Sequence, residues 1–299
     1  MNTVIGLFVE LTLLTTMVAL GLGLRSDAVI GWLRRPGLPL RLLLVSCVLV
    51  PLLALLLLKS PWNGLLSKPA GYAIALMALC PSAPMAMHKA RKLGGDHQLA
   101  AVVQVGAALT AIVTVPLLGL AFRQSFAVMG WQMSPLEVAG QVARVQVLPV
   151  LLGLGIRHWR PQLASTLEGP LTRLANVLLL VLFSLVLAKA GPLLLPLVPA
   201  NLPAVLLMAL LALAALLMGR AMAGDEPEQR LSAGLVTAMR NPGLALLFAN
   251  RNGSDLAGLK LLILLYALVT VVVSLPWTRR QHEAPPSIRW SRRPPGRPH

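Results

Sequence analysis

The chain has 299 residues, of which 57% are hydrophobic and only 12% are charged. This composition excludes an ordinary soluble domain and predicts a single integral membrane domain. The formal net charge of +16 does not indicate nucleic-acid binding, because the basic residues lie between hydrophobic runs and in the C-terminal tail, where membrane topology places them.

Hydropathy predicts nine transmembrane helices, each close to the ~20 residues that are needed to cross the hydrocarbon core. The fifth is the least regular, because it contains Gln141, Arg144 and Gln146. The pattern as a whole predicts an all-α polytopic membrane protein. The predicted spans are residues 3–24, 39–58, 69–93, 97–122, 136–156, 169–191, 199–221, 229–250 and 256–277.

Loop charge predicts the orientation. The first span is not expected to be a signal peptide, because its first basic residue, Arg25, follows the apolar run. The C-terminal tail and the loops on its side hold 18 Lys and Arg residues, against seven in the opposite loops. The positive-inside rule therefore predicts a protein of the cell (inner) membrane with its N-terminus outside and its C-terminus in the cytoplasm. The Arg- and Pro-rich tail, 278–299, is predicted to be disordered.

The third predicted span is interrupted by Pro81 and Pro84. A proline removes a backbone hydrogen bond, and in lipid such a break survives only where protein or a water-filled cavity satisfies the freed groups. The basic residues that follow either collect anions at a vestibule or are ordinary positive-inside residues. Gln104, on the fourth span, either binds substrate or ties two helices together. The basic residues are His88, Lys89, Arg91 and Lys92.

The eighth predicted span, LSAGLVTAMRNPGLALLFAN, carries Arg240, Asn241, Pro242 and Gly243 at its middle. An arginine at membrane depth is costly, so it marks a functional site by default. The alternative is that Arg240 snorkels to an interface and that Pro242 only kinks the helix.

The two interrupted spans repeat one pattern. When Pro84 is aligned with Pro242, Gly95 falls opposite Gly253, and an acid follows in both halves, as Asp96 and Asp255. Two interrupted hydrophobic segments at matching places in two halves indicate an inverted-repeat transporter with its binding site at the breaks. We therefore expect two discontinuous helices that cross.

Five motifs, in order, resemble those of the bile acid:sodium symporter family over residues 10–277. They are MVALGLGLRSD, RRPGLPLRLLLVSCVLVPLLAL, CPSAPMAMHKARKLGGDHQLA, VLPVLLGLGIR and AMRNPGLALLFA. The resemblance implies a secondary transporter of organic anions that works by alternating access. It also implies a panel of helices beside a core whose two broken helices cross at the midplane. The panel would comprise 3–24, 136–156 and 169–191, and the core 39–58, 69–93, 97–122, 199–221, 229–250 and 256–277.

The resemblance further implies which positions correspond to the family's sodium ligands. Several carry methyl, thioether or guanidinium groups, whereas sodium prefers oxygen ligands. We therefore expect a sodium-independent transporter of a small organic anion, in which Arg240 is a fixed positive charge that grips the anion bidentately. The matching positions are Ser46, Ala86, Met87, Gln104, Val236 and Arg240. The predicted substrate-binding residues are Arg240, Asn241, Ser82, Pro84, Met87, Gln104 and Thr237.

Two other functions remain open. The first is a sodium-coupled, bile-acid-like symporter that uses backbone carbonyls and Asn241. The second is a membrane receptor or scaffold that does not transport. An enzyme is not expected, because the histidines lie in loops or at span ends and no His/Cys cluster has metal-ligand spacing. The expected partners are the anion and the lipid bilayer, with sodium undecided and without a cofactor or metal.

Overall fold

The structure is a computed structural model that describes residues 3–24, 30–32, 34, 36–126, 135–252 and 256–279. The described residues are almost entirely helical, and none of them forms a β-strand. The prediction of an all-α polytopic membrane protein is confirmed. The helices are α1 (Thr3–Gly23), α2 (Gly37–Lys59), α3 (Lys68–Leu79), α4 (Pro84–Lys92), α5 (His97–Phe126), α6 (135–159), α7 (Pro161–Ala200), α8 (Leu202–Met222), α9 (Pro227–Ala238), α10 (Pro242–Asn252) and α11 (Leu259–Arg279).

Within the described ranges, six helices are long and apolar enough to cross a membrane: α1, α2, α5, α6, α8 and α11. The irregular fifth predicted span is one of them, over Leu136–Trp159. The third and eighth predicted spans each consist of two short helices with a break between them. The count of nine spans and the orientation of the termini stay predictions.

Helix α7 corrects one predicted boundary. It runs without interruption over Pro161–Ala200, so the loop that was expected at 192–198 is helical. Pro192 and Pro196 lie inside this helix, because a proline in a membrane helix costs only local hydrogen bonding, which neighbouring groups can restore. At about 1.5 Å per residue the helix is about 60 Å long, roughly twice the hydrocarbon thickness. The chain turns only at Asn201.

A π-helical turn, Val45–Leu49, interrupts α2 just before Pro51. In this turn the N–H of Val50 bonds to the carbonyl of Val45, five residues back. The next bond in that register would join residue 51 to the carbonyl of Ser46, but proline has no N–H. The carbonyl of Ser46 is therefore left without a partner inside its own helix.

The two broken segments cross in direct backbone contact. The N–H of Ala83 donates to the carbonyl of Met239 (2.8 Å), and the N–H of Asn241 donates to the carbonyl of Pro81 (3.0 Å). The prediction of two discontinuous crossing helices is confirmed.

The crossing is also internally symmetric. When Pro84 is aligned with Pro242, Ser82 corresponds to Arg240, and these two residues face each other in an antiparallel bridge. The two hydrogen bonds on either side of the bridge are equivalent in the same alignment. The two breaks are therefore equivalent to each other in the alignment that the sequence predicts. The expected partners at Gly253 and Asp255, and the tail from residue 280, lie outside the described residues.

Helices α1, α6 and α7 pack against one another. Helix α1 approaches α6 at backbone distance, where Gly21 meets Gly153. A Cβ atom at Gly21 would lie 2.9 Å from the Cα of Gly153 and 2.8 Å from the backbone nitrogen of Leu154. These helices are the ones expected to form the panel, but the division into panel and core stays a prediction.

Candidate functional site at the helix crossing

Arg240 lies in the crossing, and only 3% of it is exposed. Its Nε donates a hydrogen bond to the carbonyl of Met77 (3.3 Å), and its Nη2 donates to the carbonyl of Ala78. Its Nη1 donates to the carbonyl oxygen of Ser46 (2.8 Å) and to the Oγ of the same residue (3.0 Å). Four of the five N–H groups of the guanidinium are therefore directed at oxygen atoms of the protein.

These acceptors are free because of the way in which two helices are interrupted. Met77 and Ala78 belong to the last turn of α3, whose final carbonyls have no partner within the helix. The carbonyl of Ser46 is free because of Pro51. The guanidinium therefore caps the C-terminus of α3, which is the negative end of its dipole. A positive charge is stabilised at this place.

No carboxylate among the described residues neutralises this charge. The ionisable groups that interact electrostatically with Arg240 are the thiols of Cys47 and Cys80 and the phenol of Tyr266. All three side chains are buried. Neutral oxygens compensate only in part for the removal of a guanidinium from water. The positive charge of Arg240 therefore has no counter-charge among the described residues.

Ser82, Gln104 and Asn241 are buried at the crossing, and none is more than 1% exposed. The Nε2 of Gln104 donates to the carbonyl of Ser82 (2.6 Å), so this amide ties α5 to the break. The Oδ1 of Asn241 accepts from the N–H of Leu244 (3.1 Å) and caps the start of α10. Each of the three side chains keeps one buried atom without a hydrogen-bond partner, namely Ser82 Oγ, Gln104 Oε1 and Asn241 Nδ2. Such atoms are uncommon in native proteins, and these three lie together at the crossing.

A cavity of about 70 Å³ lies beside the crossing. Its wall is apolar apart from Arg240 and Thr270. The volume is about half that of an engineered apolar cavity that binds benzene, so it holds a small apolar group in this conformation. The lining residues are Ala83, Met85, Met239, Arg240 and Pro242 from the broken segments, Leu264, Ala267, Leu268, Thr270 and Val271 from α11, and Leu194 from α7.

The two half-helices that start at the crossing differ at their N-termini. Helix α10 is capped by Asn241, whereas α4, which begins at Pro84, follows Ala83 and has no side-chain cap. Ala83 and Met85 also line the cavity. The free N–H groups and the positive dipole end of a helix N-terminus attract anions. Of the two half-helices that start at the crossing, α4 is therefore the one whose N-terminus borders the cavity and has no side-chain cap.

The sequence of the chain was compared with models of known protein families. A model described as the sodium bile acid symporter family matches residues 10–196, which is more than half of the chain. The chain belongs to the sodium bile acid symporter family. Members of this family are membrane transporters of bile-acid-like or other organic anions and not enzymes. A search of curated proteins found no match. The family match ends before α9, so the roles of Arg240 and Asn241 stay predictions.

Three of the six positions that the resemblance matches to the family's sodium ligands are apolar in this chain. Ala86 and Val236 are completely buried and belong to one apolar cluster. Met87 is partly buried and packs at the edge of this cluster. The cluster therefore offers hydrocarbon and not oxygen at these three positions. Its other fully buried members include Leu42, Leu99, Val103, Leu231 and Leu235.

Thr237 belongs to a contact between helices. Its hydroxyl lies 2.8 Å from the carbonyl oxygens of both Ala215 and Ala233. Gly219, in α8, makes room for this hydroxyl, because a Cβ atom at that position would overlap Thr237 Oγ1. Thr237 therefore packs α9 against α8, and we do not include it in the proposed site.

The contact between Lys89 and Ser274 was not predicted from the sequence. The Nζ of Lys89, on α4, donates a hydrogen bond to the Oγ of Ser274, on α11, at 2.7 Å. The sequence did offer a sign that α11 has a polar face. Thr270 and Ser274 are polar residues four positions apart on an apolar helix, so they share one face. The apolar lining residues of α7 and α11 gave no such signal.

Proposed function

We propose that this protein is a secondary transporter of a small organic anion, and that it works by alternating access without sodium. The observation that carries the proposal is the position of the Arg240 guanidinium among oxygen atoms of Ser46, Met77 and Ala78. Carbonyl and hydroxyl oxygens are the ligands that a hard cation requires. The guanidinium takes the place of such a cation and supplies a permanent positive charge.

The apolar cluster around Ala86 and Val236 supports the same proposal. A sodium ion that entered this cluster would lose its water and gain few oxygen ligands in return, which makes the transfer strongly unfavourable. A guanidinium nearby would also repel it. The free energy of sodium binding at these apolar positions is therefore unfavourable.

The geometry changes the expected role of Arg240. We expected a bidentate grip on the substrate, but four of the N–H groups already donate to protein oxygens. We therefore propose that Arg240 acts on the anion mainly through its field. Direct contacts would come from the uncapped start of α4 and from the unpaired atoms of Ser82 and Asn241. The apolar part of the substrate would pack against Leu264 and Leu268 of α11.

Alternating access follows from the inverted repeat. The two breaks form one symmetric unit, and helices α1, α6 and α7 form the neighbouring group to which Leu194 belongs. We propose that the crossing moves as a body against this group and exposes the cavity to each side in turn. The group would be the panel, and the remaining helices would be the core.

The test is uptake by proteoliposomes that contain the purified protein. Candidate organic anions are offered in sodium buffer and in buffer with choline in place of sodium. Equal uptake in both buffers supports the proposal. In a variant that restores the family's groups, with Ala86→Ser, Met87→Asn, Val236→Glu and Arg240→Gln, we expect part of the uptake to persist and to require sodium.

Sodium coupling is the second candidate, because one observation favours it. Ser82 Oγ and Gln104 Oε1 are buried oxygen atoms without partners at the crossing, and both could ligate a cation. Uptake that disappears when choline replaces sodium would establish this candidate. The absence of uptake of any anion tested would leave the receptor or scaffold as the remaining function.

A further inference from the structure

Lys89 and Ser274 join two of the helices that border the cavity. The Nζ of Lys89 lies 2.7 Å from the Oγ of Ser274. Ser274 is completely buried, and its hydroxyl lies 2.7 Å from the carbonyl of Val271 in the same helix. A serine hydroxyl has one proton and two lone pairs. It therefore donates to Val271 and accepts from the ammonium group of Lys89.

This contact lies one helical turn beyond residues that line the cavity. Met85, one turn before Lys89 on α4, lines the cavity, and so do Thr270 and Val271, one turn before Ser274 on α11. Residues three or four positions apart share a helix face. The contact therefore continues the two facing surfaces of the cavity by one helical turn and holds them together.

The ammonium group has a weak partner for a half-buried charge. Among the residues that the structure describes, no carboxylate forms an ion pair with Lys89, and Ser274 is neutral. The bond to Ser274 is already charge-assisted, but an anionic partner adds the attraction between two full charges, which is stronger at a partly buried position than in bulk water. An anion that reaches Lys89 therefore displaces the serine hydroxyl.

Lys89 differs from the other cations near the crossing. Arg240 is held by four hydrogen bonds and is almost completely buried, so its charge is fixed in place. Lys89 has a flexible stem and one exchangeable partner. His88, Arg91 and Lys92 are exposed on the same helix, so they contribute only to the general field.

We propose that Lys89 binds the anionic end of the substrate, and that Ser274 holds the ammonium group while the cavity is empty. The proposal rests on the proposed function as an anion transporter and names a contact within that site. The substrate class is an amphipathic monoanion, whose apolar part lies against α11 and whose carboxylate or sulfonate meets Lys89. Exchange of Ser274 for the anion releases α4 from α11, so the arrival of substrate is coupled to the separation of two helices.

The test measures anion binding by the full-length protein in detergent, as a rise in its thermal unfolding midpoint. The probes are taurocholate, a bile-acid anion, and benzoate, a small apolar anion. In Lys89→Gln we expect binding to weaken by about tenfold, the size of one lost charge-assisted hydrogen bond. The matched control is Lys92→Gln, which removes the same charge from an exposed position of the same helix and should change affinity by less than about twofold.

Ser274→Ala distinguishes an exchangeable contact from a structural one. Loss of the competing hydroxyl frees the ammonium group, so binding should become tighter by about threefold, in keeping with one modest hydrogen bond. If Lys89→Gln and Lys92→Gln weakened binding equally, Lys89 would contribute only to the general positive potential of the helix, and the proposal would be overturned. Weakening in Ser274→Ala to the level of Lys89→Gln would make the pair a structural tie and overturn it too. A wild-type protein that neither anion stabilises contradicts the proposed function, and the assignment of Lys89 with it.

Discussion

The Nη1 of Arg240 lies 2.8 Å from the carbonyl oxygen of Ser46, a residue 194 positions earlier in the chain. That carbonyl is free because Pro51 follows a π-helical turn and has no N–H to offer it. Pro51 in α2 thus leaves a carbonyl oxygen free to accept a hydrogen bond from Arg240, which lies in another part of the chain. The free carbonyl helps to stabilise the buried guanidinium of Arg240, which has no carboxylate partner among the described residues.

Pro51→Ala tests this relationship. An alanine brings back an N–H group that competes with Arg240 for the carbonyl of Ser46, so the guanidinium is held less firmly and we expect uptake to fall. Because the helix gains a hydrogen bond in exchange, the free energy of unfolding should change by no more than about 0.5–1.5 kcal/mol, the value of one hydrogen bond. The measurement is the thermal unfolding midpoint together with uptake. Pro149→Ala is the control, because Pro149 follows the π-helical turn Ala143–Val147 in the same way, in a helix that Arg240 does not bind. Equal effects in the two variants would argue against the contact.

The breaks could be predicted from the sequence because their cause is local. A proline at the middle of a hydrophobic span acts within one helical turn, and both segments restart at the proline, Pro84 in one and Pro242 in the other. The antiparallel pairing of Ser82 with Arg240 also follows from the repeat. The family match, over residues 10–196, agrees with the resemblance seen in the motifs.

The direction of the Arg240 side chain could not be predicted in this way. The sequence places an arginine at membrane depth, but its partners come from α2 and α3, more than 160 residues away. Whether its N–H groups face a ligand or protein carbonyls depends on where those helices end in space. The contact of Thr237 with α8 could not be predicted for the same reason, because its partner there is visible only after packing.

Pro84→Ala and Pro242→Ala test whether the breaks form the site. An alanine permits a continuous helix, which withdraws the backbone groups from the crossing and fills the cavity. We expect either variant to lose most of its uptake while its amount in the membrane stays near wild type. Measurements of uptake per molecule of protein in the membrane decide the point. Normal uptake in the double variant would make both prolines simple kinks.

Gly21→Ala and Gly153→Ala test the close approach of α1 and α6. A Cβ atom at Gly153 would lie 2.9 Å from the Cα of Gly21 and from the backbone nitrogen of Leu22. Because backbone atoms cannot rotate away, each variant should lose about 1–3 kcal/mol of stability. The controls are Gly6→Ala and Gly140→Ala in the same two helices, where no atom lies within 4 Å of the new methyl group.

The control variants should be neutral or slightly stabilising, by up to about 1 kcal/mol, because alanine is the better helix former. Thermal unfolding in detergent provides the comparison. A loss of stability in the controls that matched the loss in Gly21→Ala would mean that the contact between the two helices is not responsible.

The orientation of the protein is tested with a reporter fused after residue 299. The loop charges predict a cytoplasmic C-terminus, so a reporter that is active only in the cytoplasm should be active. A second fusion, to a reporter that requires the outer side of the membrane, should be silent. The reverse pattern would contradict the nine-span prediction with the N-terminus outside.

Uptake by Arg240→Gln tests whether the charge of Arg240 replaces a bound cation. The variant keeps an amide that can donate to the nearby carbonyls but removes the charge, and Arg240→Lys keeps a charge that cannot reach all of Ser46, Met77 and Ala78. Because Arg240 has neutral partners and acts on the anion through its field, the loss is that of one unit charge, roughly 2–4 kcal/mol at separations of about 4–8 Å and an effective dielectric constant of about 20, which corresponds to at least about thirtyfold in affinity. We expect Arg240→Gln, present in the membrane in normal amount, to lose uptake in sodium and in choline alike. Uptake by Arg240→Gln with wild-type affinity and without a response to sodium would mean that the charge of Arg240 does not replace a bound cation.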